Sequence, residues 1–240
     1  MRLQFACDAA LTDIEGTLGS TSFVRDVLFP YSRERLGEYV RAHRGEPVVE
    51  TALTDASQSS GADLRDEHAL VQALQRWIDE DNKTTSLKAL QGSIWMRGYE
   101  EGALRGHLYD DAVDALRVWR SSGIALYVYS SGSTQAQRLF FTHSVAGNLV
   151  HLFDAYFDTT VGPKNEPSSY AQIAQQIGVP AKHILFLSDS VAELNAARDA
   201  GLRTVQVVRS QDGTKPAPGH AFVQSFDALE LRSMRALQDR

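Results

Sequence analysis

Short, mainly apolar runs recur in the second half of the chain. They occupy residues 124–129, 183–188 and 203–208. Runs of this length and composition predict strands that are buried on both faces, as in a parallel sheet. Apolar residues at helical spacing follow the first two runs, and the second of these helices is expected from Val191 to Ala200, before Gly201. With an apolar stretch before Asp13, this alternation predicts an α/β fold with a doubly wound, mostly parallel sheet.

Between about residues 22 and 108 the pattern changes, and no run has the character of a strand. Apolar residues instead recur at helical spacing, as in Phe23, Val27, Tyr31, Leu36, Tyr39 and Val40. Pro30 is expected to start or kink the first of these helices. Asp63 and Asp66 are expected to form the N-cap and first turn of another. The Ser-, Thr- and Gly-rich stretch 46–62 is expected to be a loop.

These patterns predict two domains, with one inserted into the other. The core is expected to comprise residues 1–21 and 109–240, and the inserted helical cap residues 22–108. Because the insertion follows the loop that carries Asp13, we expect it to form a lid over the edge of the sheet at which that loop lies.

The composition is that of a folded chain and excludes several classes of partner. Of the 240 residues, 43% are hydrophobic and 22% charged, which is enough to bury a core. The net charge is −6 and there is no basic tract, so nucleic acid is not an expected partner. No apolar run approaches the roughly 18 residues of a membrane span, so no membrane is expected either. Cys7 is the sole cysteine, which suits a cytoplasmic protein in a reducing compartment.

Asp13 and Glu15 come directly after the first predicted strand and directly before Gly16. Ligands of open α/β sheets bind at the carboxyl ends of the strands, where these two side chains would lie. A carboxylate there can attack an electrophile or hold a hard cation, and its neighbour can pass protons. Acidic pairs before a glycine are also common in ordinary turns, so this pair alone leaves both explanations open.

The later strand ends carry other chemical types. Ser130 and Ser131 end the next strand, Lys164 lies in a Gly/Pro loop, and Asp189 ends a third strand. Phosphoryl transfer through an aspartyl-phosphate needs such a set: a carboxylate that attacks phosphorus, oxygen ligands for Mg²⁺, and a hydroxyl and an ammonium that hold the phosphate oxygens. A second acid protonates the leaving alcohol and then activates water.

Each of these residues also has an ordinary explanation when taken alone. The serines can form a turn with Ser133 as a helix N-cap, and Lys164 can be a solvated surface lysine. Asp189 can be an N-cap, and Glu193 can either offset the helix dipole or belong to the site. Their occurrence together, each at a strand end or loop, favours a single site.

The order Asp-x-Glu-Gly-Thr, strand-end Ser, loop Lys and strand-end Asp resembles the haloacid dehalogenase superfamily. In that superfamily the first carboxylate is the nucleophile and an insertion after it is a cap. Longer runs resemble the enolase-phosphatases of methionine salvage over nearly the whole chain: residues 23–31, 87–95, 106–109, 129–133, 157–159 and 185–189. Leu18 departs from the pattern, which has a second threonine there.

The resemblance implies the substrate 2,3-diketo-5-methylthiopentyl-1-phosphate, which is enolised and then dephosphorylated to an acireductone. It implies one Mg²⁺ per chain, held by Asp13, the main-chain oxygen of Glu15 and Asp189. Asp13 and Glu15 are the expected catalytic residues, and the expected substrate contacts are Ser130, Ser131 and Lys164. A monomeric acireductone synthase acting on a small phosphorylated molecule is expected.

Other functions on the same fold can be distinguished from this one by their products or by their site residues. A plain phosphatase for another small phosphate ester would release phosphate without an acireductone. A dehalogenase is disfavoured because its chemistry has no use for the predicted Mg²⁺ ligands. A non-catalytic binding protein would be expected to lack Asp13 or Lys164, and both are present.

Aromatic residues of the insertion and one histidine are further candidates. Trp77 is expected to pack between helices, whereas Trp95 or Tyr99 can line an apolar pocket for the methylthioalkyl tail. For His107, a capping or structural role is favoured over proton transfer.

Overall fold

The computed structural model, which describes residues 2–82 and 84–234, divides into two units. One unit runs up to Ser22 and continues from Gly106, and the other is Phe23–Arg105. The roles of catalytic core and cap that the sequence suggests stay predictions. No helix in the described part of the chain is both long and apolar enough to cross a membrane.

The larger unit is built on parallel strands. In chain order the strands are β1 (Leu3–Cys7), β2 (Ala9–Thr12), β3 (Ala125–Tyr129), β4 (Ala155–Phe157), β5 (Ile184–Ser188), β6 (Arg203–Val207), β7 (Phe222–Val223) and β8 (Leu229–Ser233). Six of them form one sheet in the order β4-β3-β2-β5-β6-β7, and β1 pairs with β8 separately. All of these pairings are parallel. The predicted α/β fold with a mostly parallel sheet is confirmed.

The strand order reverses beside β2. The chain runs outward from β2 through β3 to β4, and then returns to place β5 on the other side of β2. Leu11 at the centre of β2 lies opposite Tyr127 on β3 and Phe186 on β5. Such a reversal is the switch point at which open α/β sheets bind ligands.

Helices occupy most of the rest of the described chain. In chain order they are α1 (Thr21–Phe23), α2 (Phe29–Ala42), α3 (Pro47–Ser60), α4 (Glu67–Asp79), α5 (Thr85–Glu100), α6 (Asp110–Ser121), α7 (Thr134–Thr142), α8 (Pro167–Ile177) and α9 (Val191–Asp199). A π-helical turn, Val24–Leu28, joins α1 to α2, and short 3₁₀ turns occupy Val150–Leu152, Ala181–His183, Ser210–Asp212 and Phe226–Ala228.

The sheet core explains why these strands form. All four residues of β2 and all five of β5 are buried. The core on one side of the sheet includes Leu11, Tyr129, Tyr170 and Phe186. A strand that is covered on both faces has no solvent-facing positions for polar residues. The sequences of these strands are therefore continuous apolar runs.

The expectation of a loop over residues 46–62 is wrong, because α3 occupies Pro47–Ser60. Val49, Ala52, Leu53 and Ala56 are completely buried, and their spacing puts them on one helix face. The intervening polar residues obscured this stripe. Gly61 ends α3 with a left-handed φ of 74°.

The helix starts of the smaller unit partly match the sequence pattern. Pro30 lies in the first turn of α2, as predicted. Asp66 is the N-cap of α4, and its side chain accepts a hydrogen bond from the amide of Ala69 at 3.0 Å. Asp63, expected to share in this cap, instead accepts from the amide of Arg65 in the preceding turn, because α4 begins only at Glu67.

Candidate active site

Three predicted site residues follow three neighbouring strands. Asp13 comes directly after β2, Ser130 after β3 and Asp189 after β5. The three strands are adjacent and parallel, in the order β3-β2-β5, so their carboxyl ends share one edge of the sheet. This edge lies at the switch point of the strand order, where a ligand site is expected.

Lys164 lies in the loop after β4 and reaches the end of β2. Its Nζ is 2.6 Å from Oδ1 of Asp13, and its side chain is only 11% exposed. The loop is fixed by two tyrosines: the hydroxyl of Tyr170 donates to the carbonyl of Lys164 at 2.7 Å, and that of Tyr129 to the carbonyl of Gly162 at 2.8 Å. Lys164 is therefore a buried, positioned cation and not a solvated surface lysine.

Glu193 joins the same charge cluster from the first turn of α9. Its Oε2 is 2.8 Å from Nζ of Lys164 and accepts a hydrogen bond from the hydroxyl of Ser188 at 3.0 Å. Of the two explanations that the sequence leaves open for Glu193, these contacts favour membership of the site. Lys164 thus lies between two carboxylates.

Burial and charge shift the pKa values of this cluster. Burial works against the charge of Lys164, but the negative charges of Asp13 and Glu193 outweigh it and raise the pKa of the ammonium above its usual value. Burial and the charge of Asp13 raise the pKa of Glu193 to about 7, against the lowering effect of Lys164. The lysine therefore stays protonated, while Glu193 can exchange a proton near neutral pH.

Asp189 is packed against the loop that follows Asp13. Its amide donates to Oγ1 of Thr17 at 3.0 Å. Gly16 has a φ of 71°, and a Cβ at this position would lie 2.5 Å from Oδ2 of Asp189. Asp189 is not a helix N-cap, because Ser190 holds that position of α9.

The predicted metal ligands fit a hard divalent cation. Burial and the charge of Asp13 raise the pKa of Asp189 to about 6, so two carboxylates repel each other here. Within residues 2–82 and 84–234, no three His, Cys, Asp or Glu side chains gather to bind a metal. The predicted set does not need such a cluster, because it consists of two carboxylates and the main-chain oxygen of Glu15. All are hard oxygen donors, which Mg²⁺ prefers.

The serine loop after β3 forms a turn at the same edge of the sheet as Asp13 and Asp189. Ser130 is buried, and its Oγ accepts from the amide of Gly132 at 3.2 Å. Ser133 is the N-cap of α7 and accepts from the amide of Ala136. The N-cap role weighed for Ser133 is therefore confirmed, and it leaves Ser130 and the half-buried Ser131 at the strand end. Glu15, also half-buried, lies in the turn two residues after Asp13.

Two residues without a predicted role, Gln137 and Asp158, hold this serine loop. Gln137 is buried, and its Nε2 donates to the carbonyls of Gly132 and Phe157 at 2.7 and 2.8 Å. Asp158 accepts from the amides of Thr134 and Thr160. The sequence could have indicated Asp158 as a site residue, because it follows β4 within a family-like run. Nothing in the sequence distinguishes Gln137 from any other helical glutamine.

His107 and Trp95 make structural contacts. Nδ1 of His107 accepts from the amide of Ser20 at 3.4 Å, as suits a capping role. Within the smaller unit, the indole of Trp95 donates to the carbonyl of Leu28 at 2.8 Å. Tyr99 is 3% exposed and Trp77 is partly buried against the helical core.

A family model described as haloacid dehalogenase-like hydrolase matches residues 7–201. The fold, the site and this match define the chain as a haloacid dehalogenase-like hydrolase. The chain is also 54% identical over 218 residues to Enolase-phosphatase E1 of Pseudomonas aeruginosa (strain UCBPP-PA14), covering 91% of this chain and 96% of that protein. It therefore belongs to the enolase-phosphatase family within that class.

Three further comparisons agree. Enolase-phosphatase E1 of Methylococcus capsulatus is 50% identical over 221 residues, covering 92% of this chain and 96% of that protein. Among solved structures, the UTR4 protein of Saccharomyces cerevisiae superposes with a TM-score of 0.77 at 33% identity, covering 93% of this chain and 100% of that one. CbbY of Rhodobacter sphaeroides, at 18% identity and a TM-score of 0.58, shares the fold.

Proposed function

We propose that this chain is the bifunctional enolase-phosphatase of methionine salvage, an acireductone synthase. It enolises 2,3-diketo-5-methylthiopentyl-1-phosphate and then removes the phosphate to give the acireductone 1,2-dihydroxy-3-keto-5-methylthiopentene. The observation that carries the proposal is the buried ammonium of Lys164, 2.6 Å from Asp13 and 2.8 Å from Glu193 at the switch point of the sheet. Identity above half to Enolase-phosphatase E1 proteins supports the choice of substrate.

In the phosphatase step, Asp13 is the nucleophile. Its carboxylate oxygen forms a bond to phosphorus while the bond from phosphorus to the substrate oxygen breaks, and Glu15 gives that oxygen a proton. Water then attacks the aspartyl-phosphate, Glu15 takes the proton back, and phosphate leaves with Asp13 restored. A buried nucleophile suits this chemistry because it needs little solvent reorganisation.

Lys164, Ser130 and Ser131 bind the phosphate oxygens. The ammonium of Lys164 already lies within hydrogen-bond distance of Asp13, so it stays beside the phosphoryl group after transfer to that carboxylate. The serine loop leads into the start of α7, where the helix dipole favours an anion, although the amides of Thr134 and Ala136 already donate to Asp158 and Ser133.

Enolisation develops negative charge on a substrate oxygen and requires no nucleophile at phosphorus. Lys164 serves this step too, because a positioned ammonium stabilises an enolate as well as a phosphoryl oxygen. Asp13 acts as nucleophile only in the second reaction. The two reactions therefore depend on different members of the same charge cluster.

Enzymes of this family generally use Mg²⁺. In this chain one Mg²⁺ would be held by Asp13, the main-chain oxygen of Glu15 and Asp189. When bound, it offsets the repulsion between the nucleophile and the phosphate. The repulsion that raises the pKa of Asp189 is the feature of these residues that a cation relieves.

The partner of this site is a small phosphorylated molecule. The chain is proposed to act as a monomer in the cytoplasm, and its acidic balance and single buried cysteine suit that setting.

The test is to incubate the protein with the diketone phosphate and Mg²⁺. Acireductone absorbance and free phosphate are followed together, with a chelated sample as the control. The proposal predicts that both products rise in equal amounts and that chelation stops phosphate release. Phosphate without acireductone identifies a plain phosphatase instead, and neither product rejects the substrate.

A further inference from the structure

Arg209 is a buried arginine two residues past β6, and the reaction described above gives it no role. It is only 4% exposed. Its Nε and Nη2 donate to the carbonyl oxygen of Thr17 at 3.2 and 3.0 Å, and its Nη1 donates to Oδ2 of Asp111 at 2.8 Å. Two donors of the guanidinium fork therefore converge on one main-chain oxygen.

The guanidinium is held firmly in this place. Its carbon lies 4.3 Å from the ring centre of Tyr109 and 5.1 Å from that of Phe226. Asp111, its charged partner, also accepts from the amide of Phe226 at 2.8 Å. A planar cation fixed by an ion pair and two rings loses little further freedom when it holds a carbonyl group.

Thr17 carries the effect of Arg209 to the site. Its carbonyl is held by Arg209, while its Oγ1 accepts the amide hydrogen of Asp189 at 3.0 Å. The preceding residue, Gly16, lies against the carboxylate of Asp189. The loop that begins with Asp13 is thus fixed to Arg209 on one side and to Asp189 on the other.

We propose that Arg209 is a positioning residue, which sets the distance between Asp13 and Asp189 by holding the carbonyl of Thr17. The inference rests on the proposed function, in which these two carboxylates hold one cation and Asp13 attacks in line. Both tasks need the groups held to within about 0.5 Å. A core ion pair alone needs only the contact with Asp111, and the two bonds to Thr17 are what link Arg209 to the site.

The test compares Arg209→Lys with Arg120→Lys. Lysine keeps the charge but cannot supply the fork of parallel donors. Arg120 donates to Asp154 at 2.6 Å in a half-exposed pair, so it is a matched arginine–aspartate pair outside the site. We expect Arg209→Lys to weaken Mg²⁺ binding by about 10- to 100-fold and to lower kcat similarly with KM nearly unchanged, while Arg120→Lys changes neither.

Hydrogen exchange gives a readout that needs neither metal nor substrate. If Arg209 positions Thr17, the amide of Asp189 loses its partner more often in Arg209→Lys, and its exchange accelerates by about tenfold or more at unchanged global stability. Unchanged exchange at Asp189 together with unchanged Mg²⁺ affinity in folded Arg209→Lys overturns the proposal. Should that variant not fold, Asp111→Asn is measured in the same way, and unchanged exchange there overturns it as well.

Thr17 variants separate positioning from a general structural effect. Thr17→Val removes the acceptor for the Asp189 amide, whereas Thr17→Ser keeps it. We expect Thr17→Val to lose Mg²⁺ affinity as Arg209→Lys does, and Thr17→Ser to keep the affinity of the wild type. The double variant Arg209→Lys/Thr17→Val should lose no more than the larger single loss, and additive losses contradict the proposed path.

The proposed function and this inference fail in different ways. If the wild-type protein does not turn over the diketone phosphate, the proposed substrate is wrong. The exchange of the Asp189 amide and the Mg²⁺ isotherm still decide the role of Arg209, because neither measurement uses substrate.

Discussion

Among individual residues, the balance of charge around Lys164 governs the site. One buried ammonium lies between the carboxylates of Asp13 and Glu193, and the pKa of Asp189 nearby is raised by burial and by Asp13. A phosphate brought to this cluster adds negative charge to a place that already holds an excess of it. We therefore expect the site to need protonation and a bound cation to accept a phosphorylated substrate.

Glu193→Gln should change how stability depends on pH. The pKa of Glu193 rises from 4.5 to about 7 on folding, so between these values the folded protein holds a proton that the unfolded chain has released. This contribution to stability is fully present below the unfolded pKa and is lost as pH rises through 7. Glutamine does not titrate, so the free energy of unfolding of the variant lacks this loss. As pH rises from 4.5 to 8, the free energy of unfolding of the variant should therefore increase relative to that of the wild type by roughly 1 to 3 kcal/mol.

The measurement is urea unfolding across this pH range without divalent cations. Glu100→Gln, at an exposed position of α5, is the control and should show no such trend. A constant difference between Glu193→Gln and the wild type across the range would mean that Glu193 is ionised in both states.

Gly16→Ala should abolish activity, whereas Gly123→Ala should not. Both glycines have left-handed φ angles, 71° and 81°, so both substitutions strain the backbone by about 1 kcal/mol or more. Only at Gly16 would the new Cβ meet the carboxylate of Asp189, at 2.5 Å, while nothing lies within 4 Å at Gly123. Phosphate release and thermal unfolding are measured for both variants, and equal activities contradict the close packing of this loop on Asp189.

Among the strands and helices, the sequence indicated best the strands of the main sheet that form short apolar runs. The apolar runs of β3 and β5 give their positions directly, because a central parallel strand has two covered faces. β4 and β7 have only three and two residues, too few for a periodic signal. β1 and β8 pair with each other outside the main sheet, and their partners are set by tertiary contacts that no local pattern contains.

The same reasoning explains which site residues could be predicted. Asp13, Ser130 and Asp189 follow predicted strands, so the edge they share was predictable before the distances were known. Arg209 also follows a strand, but its contact with Thr17 spans 192 positions of the chain. Such a partnership depends on packing, and a single sequence does not indicate it.

Leu53→Ala tests the helix that the sequence pattern obscured. Leu53 is completely buried in the core of the smaller unit, so its truncation should lower the free energy of unfolding of that unit by about 2–5 kcal/mol. Gln58→Ala, at an exposed position of the same helix, should change it by less than about 0.5 kcal/mol. Urea unfolding of the full chain, followed by helical circular dichroism, measures both. Equal small effects would contradict the burial of α3.

In the whole molecule, the predicted catalytic groups and the positioning arginine all belong to the larger unit. Asp13, Asp189, Lys164 and Arg209 come from distant parts of the chain, and the parallel sheet brings their strand ends to one edge. In the proposed function, one charge cluster serves two reactions. The proposed nucleophile, Asp13, is needed only for the second reaction, so we expect the two reactions to separate in a variant that lacks it.

The most direct test of this account is a phosphorus NMR time course of the metal-loaded Asp13→Asn variant with the diketone phosphate and Mg²⁺. Calorimetry first establishes that the variant binds the metal, and Lys164→Ala is measured beside it. We expect Asp13→Asn to accumulate the phosphorylated enol without releasing phosphate, while Lys164→Ala slows both reactions. Phosphate release by Asp13→Asn within tenfold of the wild type, about 1.4 kcal/mol of barrier, or an enol that accumulates only in Lys164→Ala, would contradict it.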